Sequence, residues 1–170
     1  EEYIIKLVKF FSDPKLLTVI VPRHPERFSE VEKLLKKNQI NYQLKSSEKK
    51  IQNDTKIVLG DSMGELTTYY AACDIAFVGG SLVPSGGQNL LEGCALGKPI
   101  LVGPYTYNFE EITEKAIEVG AALRVKSLDE LNSRLNNLVQ NPDKRNSMAI
   151  SGLKFVKDNQ GSTEKILRLI

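Results

Sequence analysis

The run Val78-Gly79-Gly80-Ser81-Leu82-Val83-Pro84-Ser85-Gly86-Gly87-Gln88-Asn89-Leu90-Leu91-Glu92-Gly93-Cys94-Ala95 decides the reading of this chain. It predicts an apolar strand over Asp74–Val78, a glycine turn, a second glycine pair and a helix that starts near Gln88. Two Gly-Gly pairs around a short loop let the backbone approach a ligand where any Cβ would clash. A helix opening directly after such a loop offers unpaired N–H groups and the positive end of its dipole to a phosphate. Glu92, one turn into that helix, can accept hydrogen bonds from a pair of ribose hydroxyls. Strand, glycine turn, helix start and carboxylate together describe a nucleotide site, and Gly97-Lys98-Pro99-Ile100-Leu101-Val102-Gly103-Pro104 just beyond sharpens the reading. Taken singly, the glycines also make ordinary tight turns, and a first-turn Glu also complements a helix dipole.

Outward from this run, helices are expected over Glu2–Phe11, Pro25–Lys37, Gly64–Cys73, Gln88–Leu96 and Asn108–Val119. Strands are expected over Leu16–Val21, Tyr42–Leu44, Lys56–Leu59, Asp74–Val78, Pro99–Val102 and Ala122–Val125, with a polar loop through Ser46–Asp54. Short aliphatic strands alternating with amphipathic helices signal a parallel sheet covered on both faces. That is a Rossmann-like, doubly wound α/β domain, read as one nucleotide-binding domain over 1–170. Terminal helices occupy about 127–170. Leu128, Leu131, Leu135 and Leu138 fall at helical spacing behind Ser127 as N-cap. Asn141-Pro142 reads as a break, Met148–Phe155 as a further helix, and Gly161-Ser162-Thr163 as the lead into a last short helix ending at Ile170.

At 170 residues with 41% hydrophobic content, the chain can bury a real core. A formal charge of +2 argues against nucleic acid or an anionic membrane as main partner, and the lysines between Lys33 and Lys56 read as a solvated face. No apolar run reaches the ~20 residues of a membrane span. Cys73 and Cys94 sit in apolar helical settings and read as buried free thiols, and a single His, His24, argues against a His-ligated metal. The start at Glu1-Glu2, already inside an amphipathic pattern and without Met, reads as a piece of a longer protein.

Ligands of parallel α/β sheets bind outside the carboxyl ends of the strands. Two further loops there carry unusual residues. In Val21-Pro22-Arg23-His24-Pro25-Glu26-Arg27 the prolines stiffen the turn, and Arg23 can contact a phosphate or carboxylate bidentately. His24 can orient a phosphate or cap the next helix. In Gly60-Asp61-Ser62-Met63-Gly64-Glu65-Leu66 the glycines permit close backbone approach, and the Met63 thioether can pad a planar base. Asp61 or Ser62 can equally cap the helix, and Glu65 can equally face its dipole. There is no Ser/His/Asp set, no carboxylate pair suited to glycoside hydrolysis and no cluster of metal ligands. The residues suit holding a nucleotide and stabilising a departing phosphate, with no nucleophile supplied.

The blocks Pro22–Phe28, Gly60–Leu66, Ala76–Leu82, Gly86–Glu92 and Gly103–Phe109 strongly resemble the C-terminal domain of the 3-deoxy-D-manno-oct-2-ulosonic acid (Kdo) transferases of bacterial lipopolysaccharide synthesis. The resemblance covers most of the chain. It implies the C-terminal half of a two-domain GT-B glycosyltransferase that binds CMP-Kdo, with the lipid A precursor bound by the N-terminal half. On its strength Arg23 would contact the donor phosphate, with His24 beside it. Gly80, Ser81, Gly87 and Asn89 would line the phosphate and ribose region, and Glu92 would hold the ribose. Pro22, Met63 and Gly64 would adjoin the cytosine, and His24, Gly60, Glu65 and Gln88 complete the donor-binding set. It further implies no catalytic residue, metal or cofactor in this chain, an acceptor-side base and the membrane contact in the other half, and a place at the cytoplasmic face of the inner membrane. Family members commonly carry His-Asn-Pro where this chain has Gln88-Asn89-Leu90, although Gln can still donate a hydrogen bond. Rival readings are a UDP-sugar GT-B transferase or epimerase and a non-catalytic nucleotide-binding module. An NAD-binding domain fits poorly, because Gly79–Gly87 lacks the G-x-G-x-x-G spacing.

Overall fold

The computed structural model describes residues 1–11, 13 and 16–159. They form two compact units, Glu1–Tyr69 and the part beginning at Tyr70.

The first unit contains α1 (Glu2–Val8), β1 (Thr18–Ile20), α2 (Glu26–Lys37), β2 (Tyr42–Leu44) and β3 (Ile57–Leu59). Its sheet is parallel in the order β1-β3-β2, with Ile20 opposite Leu59 and Leu44 also opposite Leu59. The central strand β3 is buried at every position, which is why it reads as an unbroken Ile-Val-Leu run rather than an alternating one. Ile5, Val8, Ile20, Val31, Leu35, Ile57 and Leu59 form the core. Val31 and Leu35 lie four residues apart on α2 and so share the face turned to the sheet. A 3-10 turn (Lys45–Ser47) follows β2 directly and overlaps the start of the span expected to be plain loop.

The second unit opens with the end of α3 (Leu66–Ala72) and continues with β4 (Ala76–Phe77), α4 (Leu91–Ala95), β5 (Ile100–Val102), α5 (Glu110–Glu118), β6 (Ala122–Arg124), α6 (Leu128–Gln140) and α7 (Pro142–Asn159). Its parallel sheet runs β4-β5-β6, and the buried β5 lies at its centre. Ala76, Leu90, Cys94, Ile100, Val102, Ala122 and Phe155 belong to one core. Helix α7 packs close on α4, because Gly152 has no side chain: a Cβ there would lie 3.3 Å from the Cα of Cys94.

Every expected strand forms, but the hydrogen bonding divides them into two three-stranded sheets rather than one. Several helix boundaries are corrected: α1 ends at Val8 rather than Phe11, and α3 begins at Leu66 rather than Gly64. The helix expected from Gln88 begins at Leu91, because the Asn89 side chain accepts the Leu91 N–H at 2.9 Å and stops the helix there. The helix expected from Asn108 begins at Glu110. Asn141-Pro142 starts α7 rather than merely ending α6: Pro142 takes the first helical position, where its missing N–H costs nothing, and the Asn141 carboxamide accepts the Lys144 N–H at 3.0 Å. Ser127 caps α6, accepting the Glu130 N–H at 3.2 Å. Cys73 lies just beyond α3 and donates to the Tyr70 carbonyl, while Cys94 is inside α4; burial raises both thiol pKa values, that of Cys94 to about 11. The helix expected over 161–170 lies outside the described residues.

Candidate functional site

In the first unit the parallel register brings two of the three candidate loops to the same edge. The Gly60 N–H donates to the Ile20 carbonyl at 2.9 Å, so the loops leaving β1 and β3 start side by side. Pro22 is buried, whereas Arg23 and His24 beside it are exposed. The His24 carbonyl accepts the Arg27 N–H, so this segment leads straight into α2. Gly60 is buried, and a Cβ there would lie 2.8 Å from the Tyr69 hydroxyl, an atom that is itself buried without a protein partner. Gly64 has φ +79° with open space around the Cβ position, and Met63 is 58% exposed. The left-handed backbone at Gly64 is one that an L side chain adopts only with strain.

Neither Asp61 nor Ser62 caps α3. The Asp61 carboxylate accepts the Ser46 N–H at 2.9 Å and the Ser46 hydroxyl, while Ser62 donates to Glu65. Glu65 also holds Lys45 at 2.8 Å. Its carboxyl lies below the usual range because of Lys45 first and Ser62 second. For Asp61 burial pushes upward, but the Ser46 hydroxyl and amide outweigh it and the net direction is down. Lys45 and Ser46 are therefore part of this edge, although they stand in a stretch that reads from sequence as solvated face. What could have found them is their position, immediately after a strand running parallel to the one that carries the candidate loop.

In the second unit two loops interlock. Gly80 (φ +73°), Gly86 (φ +85°) and Gly87 (φ +70°) all have left-handed backbone. A Cβ at Gly86 would meet Asn108 and Tyr107, and one at Gly87 would lie 3.2 Å from the Tyr105 carbonyl. The second glycine pair is thus used by packing against the segment Gly103–Phe109, whereas Gly79 has open space at its Cβ position. Tyr105 N–H donates to the Ser81 carbonyl, Asn108 N–H to the Gly86 carbonyl, and the Tyr107 hydroxyl to the Pro84 carbonyl at 2.8 Å. Ser81 is fully buried; its hydroxyl donates to the Val78 carbonyl at 2.6 Å and accepts the Gly103 N–H at 2.7 Å. Its one proton is committed within the loop, and a phosphate needs donors. Arg124, at the end of β6, donates to the Gly103 carbonyl and Thr106 hydroxyl and pairs with Glu114. Arg124, Thr106 and Tyr107 were not singled out from sequence as site residues.

Gln88 and Asn89 lie in the loop before α4. Asn89 is exposed, and its side-chain carbonyl oxygen accepts the Leu91 N–H. Glu92 is exposed in the first turn of α4. Tyr70 lies beside it: burial raises the phenol to about 12, with the Glu92 charge adding to the shift. Among the described residues no three His, Cys, Asp or Glu side chains gather as a metal site, and no helix is long and apolar enough to cross a membrane.

Residues 2–155 match the family model described as glycosyl transferases group 1. The chain belongs to that family. Among the relatives of this group 1 glycosyl transferase chain is the 3-deoxy-D-manno-octulosonic acid transferase of Haemophilus influenzae, 40% identical over 92% of this chain and 37% of that protein. The enzyme of the same description from Bordetella pertussis is 37% identical, over 91% of this chain and 36% of that protein. The chain therefore spans well under half the length of these relatives. The crystal structure of the C-terminal CMP-Kdo binding domain of WaaA from Acinetobacter baumannii superposes with a TM-score of 0.86 at 33% identity, covering 91% of this chain and 82% of that one. The α/β fold read from the strand–helix alternation, and the GT-B-like fold and family resemblance carried by the five sequence blocks, both stand.

Proposed function

We propose that this chain is the donor-binding half of a Kdo transferase, binding CMP-Kdo for transfer of Kdo to lipid A precursor at the cytoplasmic face of the inner membrane. The observation that carries the reading is the likeness, at 33% identity and a TM-score of 0.86, to a domain described as CMP-Kdo binding. Arg23 would meet the donor phosphate with a guanidinium fork. Glu92 would hold the ribose hydroxyls and the Asn89 amide would add a donor. The loop carrying Met63 and Gly64 would face the base, with Pro22, Gly60 and Glu65 supporting it. His24 is a further proposed donor contact in the first unit, and Gly80, Gly87 and Gln88 are proposed donor contacts in the second, where Ser81 ties the glycine loop to Gly103.

In the reaction so proposed, the bond between the anomeric carbon and the CMP phosphate oxygen breaks and an acceptor hydroxyl bonds to that carbon. A base deprotonates the hydroxyl, and CMP leaves as the anion. Fixed donors aimed at the phosphate stabilise the charge that develops there, the kind of term that dominates such steps. The acceptor and the base belong to the part of the enzyme outside this sequence, so the domain assembles a complete centre only on closure with it.

The test is transfer itself. The full-length protein incubated with CMP-Kdo and lipid A precursor should yield Kdo-bearing lipid by mass spectrometry, and this chain alone should yield none. Transfer by the chain alone at the full-length rate would refute the division of labour, and no transfer by the folded full-length protein would refute the substrate assignment.

A further inference from the structure

We propose that the 3-10 turn after β2, acting through Lys45 and Ser46, sets the base specificity of the donor site by holding the Gly60–Glu65 loop in one conformation. The proposal rests on the reading of that loop as the part that faces the nucleotide base. Strands β2 and β1 flank β3 in parallel register, so the turn Lys45–Ser47 and the Gly60 loop emerge at one edge of the first unit. The loop is then fixed at both ends. At its start both Asp61 carboxylate oxygens are taken by Ser46, one by the backbone N–H and one by the hydroxyl. At its end Glu65 is held by Lys45 at 2.8 Å and by Ser62 from within the loop. Both carboxyls titrate below their ordinary range, so both clamps are charged at neutral pH.

Between the clamps stand the two groups presented outward, Met63 at 58% exposed and Gly64 with nothing near its Cβ position. A pyrimidine offers an amino group or a carbonyl at the same edge position, and a site tells them apart only if its own polar groups cannot turn to suit either. A loop held by charge-assisted bonds at two points has that property; a loop free to shift accepts both bases at similar cost. Lys45 and Ser46 are then positioning residues that never touch the ligand.

Calorimetric titration of the chain with CMP and with UMP tests this. Wild type should prefer CMP. Ser46→Ala and Lys45→Met should each cut the CMP-over-UMP ratio by about two- to fivefold, the scale of one exposed charged contact, while thermal melting shows both variants folded. Ser46→Thr and Lys45→Arg, which keep the donors, should restore the ratio. Equal weakening of both nucleotides would make the turn a structural prop and overturn the proposal, as would an unchanged ratio in folded variants that still bind CMP. A wild-type chain with no preference for CMP would overturn this proposal together with the functional reading beneath it.

Discussion

Gly103→Ala should destabilise the second unit more than its single methyl suggests. The backbone φ of Gly103 lies outside the left-handed region, so alanine can adopt it and the cost is steric. An added Cβ would sit 2.1 Å from the Ser81 carbonyl oxygen, 2.3 Å from its carbon and 2.7 Å from the Leu82 nitrogen. All three are backbone atoms in a loop that cannot rotate aside, so the two loops must part by roughly 1 Å, which forces a close-packed region apart. Overpacking of this kind costs about 1–3 kcal/mol. The separation also stretches the Gly103 N–H to Ser81 hydroxyl bond (2.7 Å) and the Tyr105 N–H to Ser81 carbonyl bond (3.0 Å). Each adds about 1 kcal/mol, for about 3–5 kcal/mol in all. For a chain of this size that lowers the melting temperature by roughly 10 °C. Urea unfolding followed by far-UV circular dichroism reads the difference. A Gly103→Ala chain within about 0.5 kcal/mol of wild type would refute the interlocked-loop account. Gly79→Ala is the matched control: with no atom near its Cβ position it should keep stability within that same margin, yet lower CMP affinity if ligand approach is what the glycine serves.

Glu92→Ala should weaken CMP binding by about 1.5–3 kcal/mol if the carboxylate accepts from the ribose hydroxyls; unchanged calorimetric affinity in the folded variant would reduce Glu92 to a helix-dipole residue. Arg23→Lys should also lose affinity, since an ammonium cannot reproduce a two-pronged guanidinium contact, and equal binding would leave only a point charge at that position. The folded-state pKa values of Asp61 and Glu65 are depressed, so their stabilisation is complete above the ordinary carboxylate range and is lost as pH falls through the depressed values. Lys45→Met removes the main cause of the Glu65 shift and should make the acid-side loss of urea stability shallower below about pH 5; parallel curves for variant and wild type would show the ion pair to be inert.

The architecture was legible where burial writes a simple pattern. Strands β3 and β5 are covered on both sides, and their unbroken Ile-Val-Leu and Ile-Leu-Val runs announce it. Ser127 was legible as a cap because its bond is local. The misread boundaries turn on side chains that act one way in the fold and another in a pattern: Pro142 looks like a breaker yet opens α7, and Asn89 looks helical yet halts α4 before Leu91. Gly86 and Gly87 read as space for a ligand, and the fold adds a second demand on them: a Cβ at either would meet Asn108, Tyr107 or Tyr105, partners some 20 residues away that no local window reveals. Lys45 and Ser46 escaped for the same reason. Their meaning comes from the register of β2 against β3, which places them beside Asp61 and Glu65.

A donor-binding domain of this kind must recognise a cytidine nucleotide at the residues assigned to it. Titrating the chain with CMP and following Arg23, Gly60, Met63, Gly64, Asn89 and Glu92 by amide chemical-shift changes measures both affinity and place at once. The account predicts saturable shifts concentrated at these residues, with UMP giving weaker ones. Shifts confined to other surfaces, or none at saturating CMP, would contradict it.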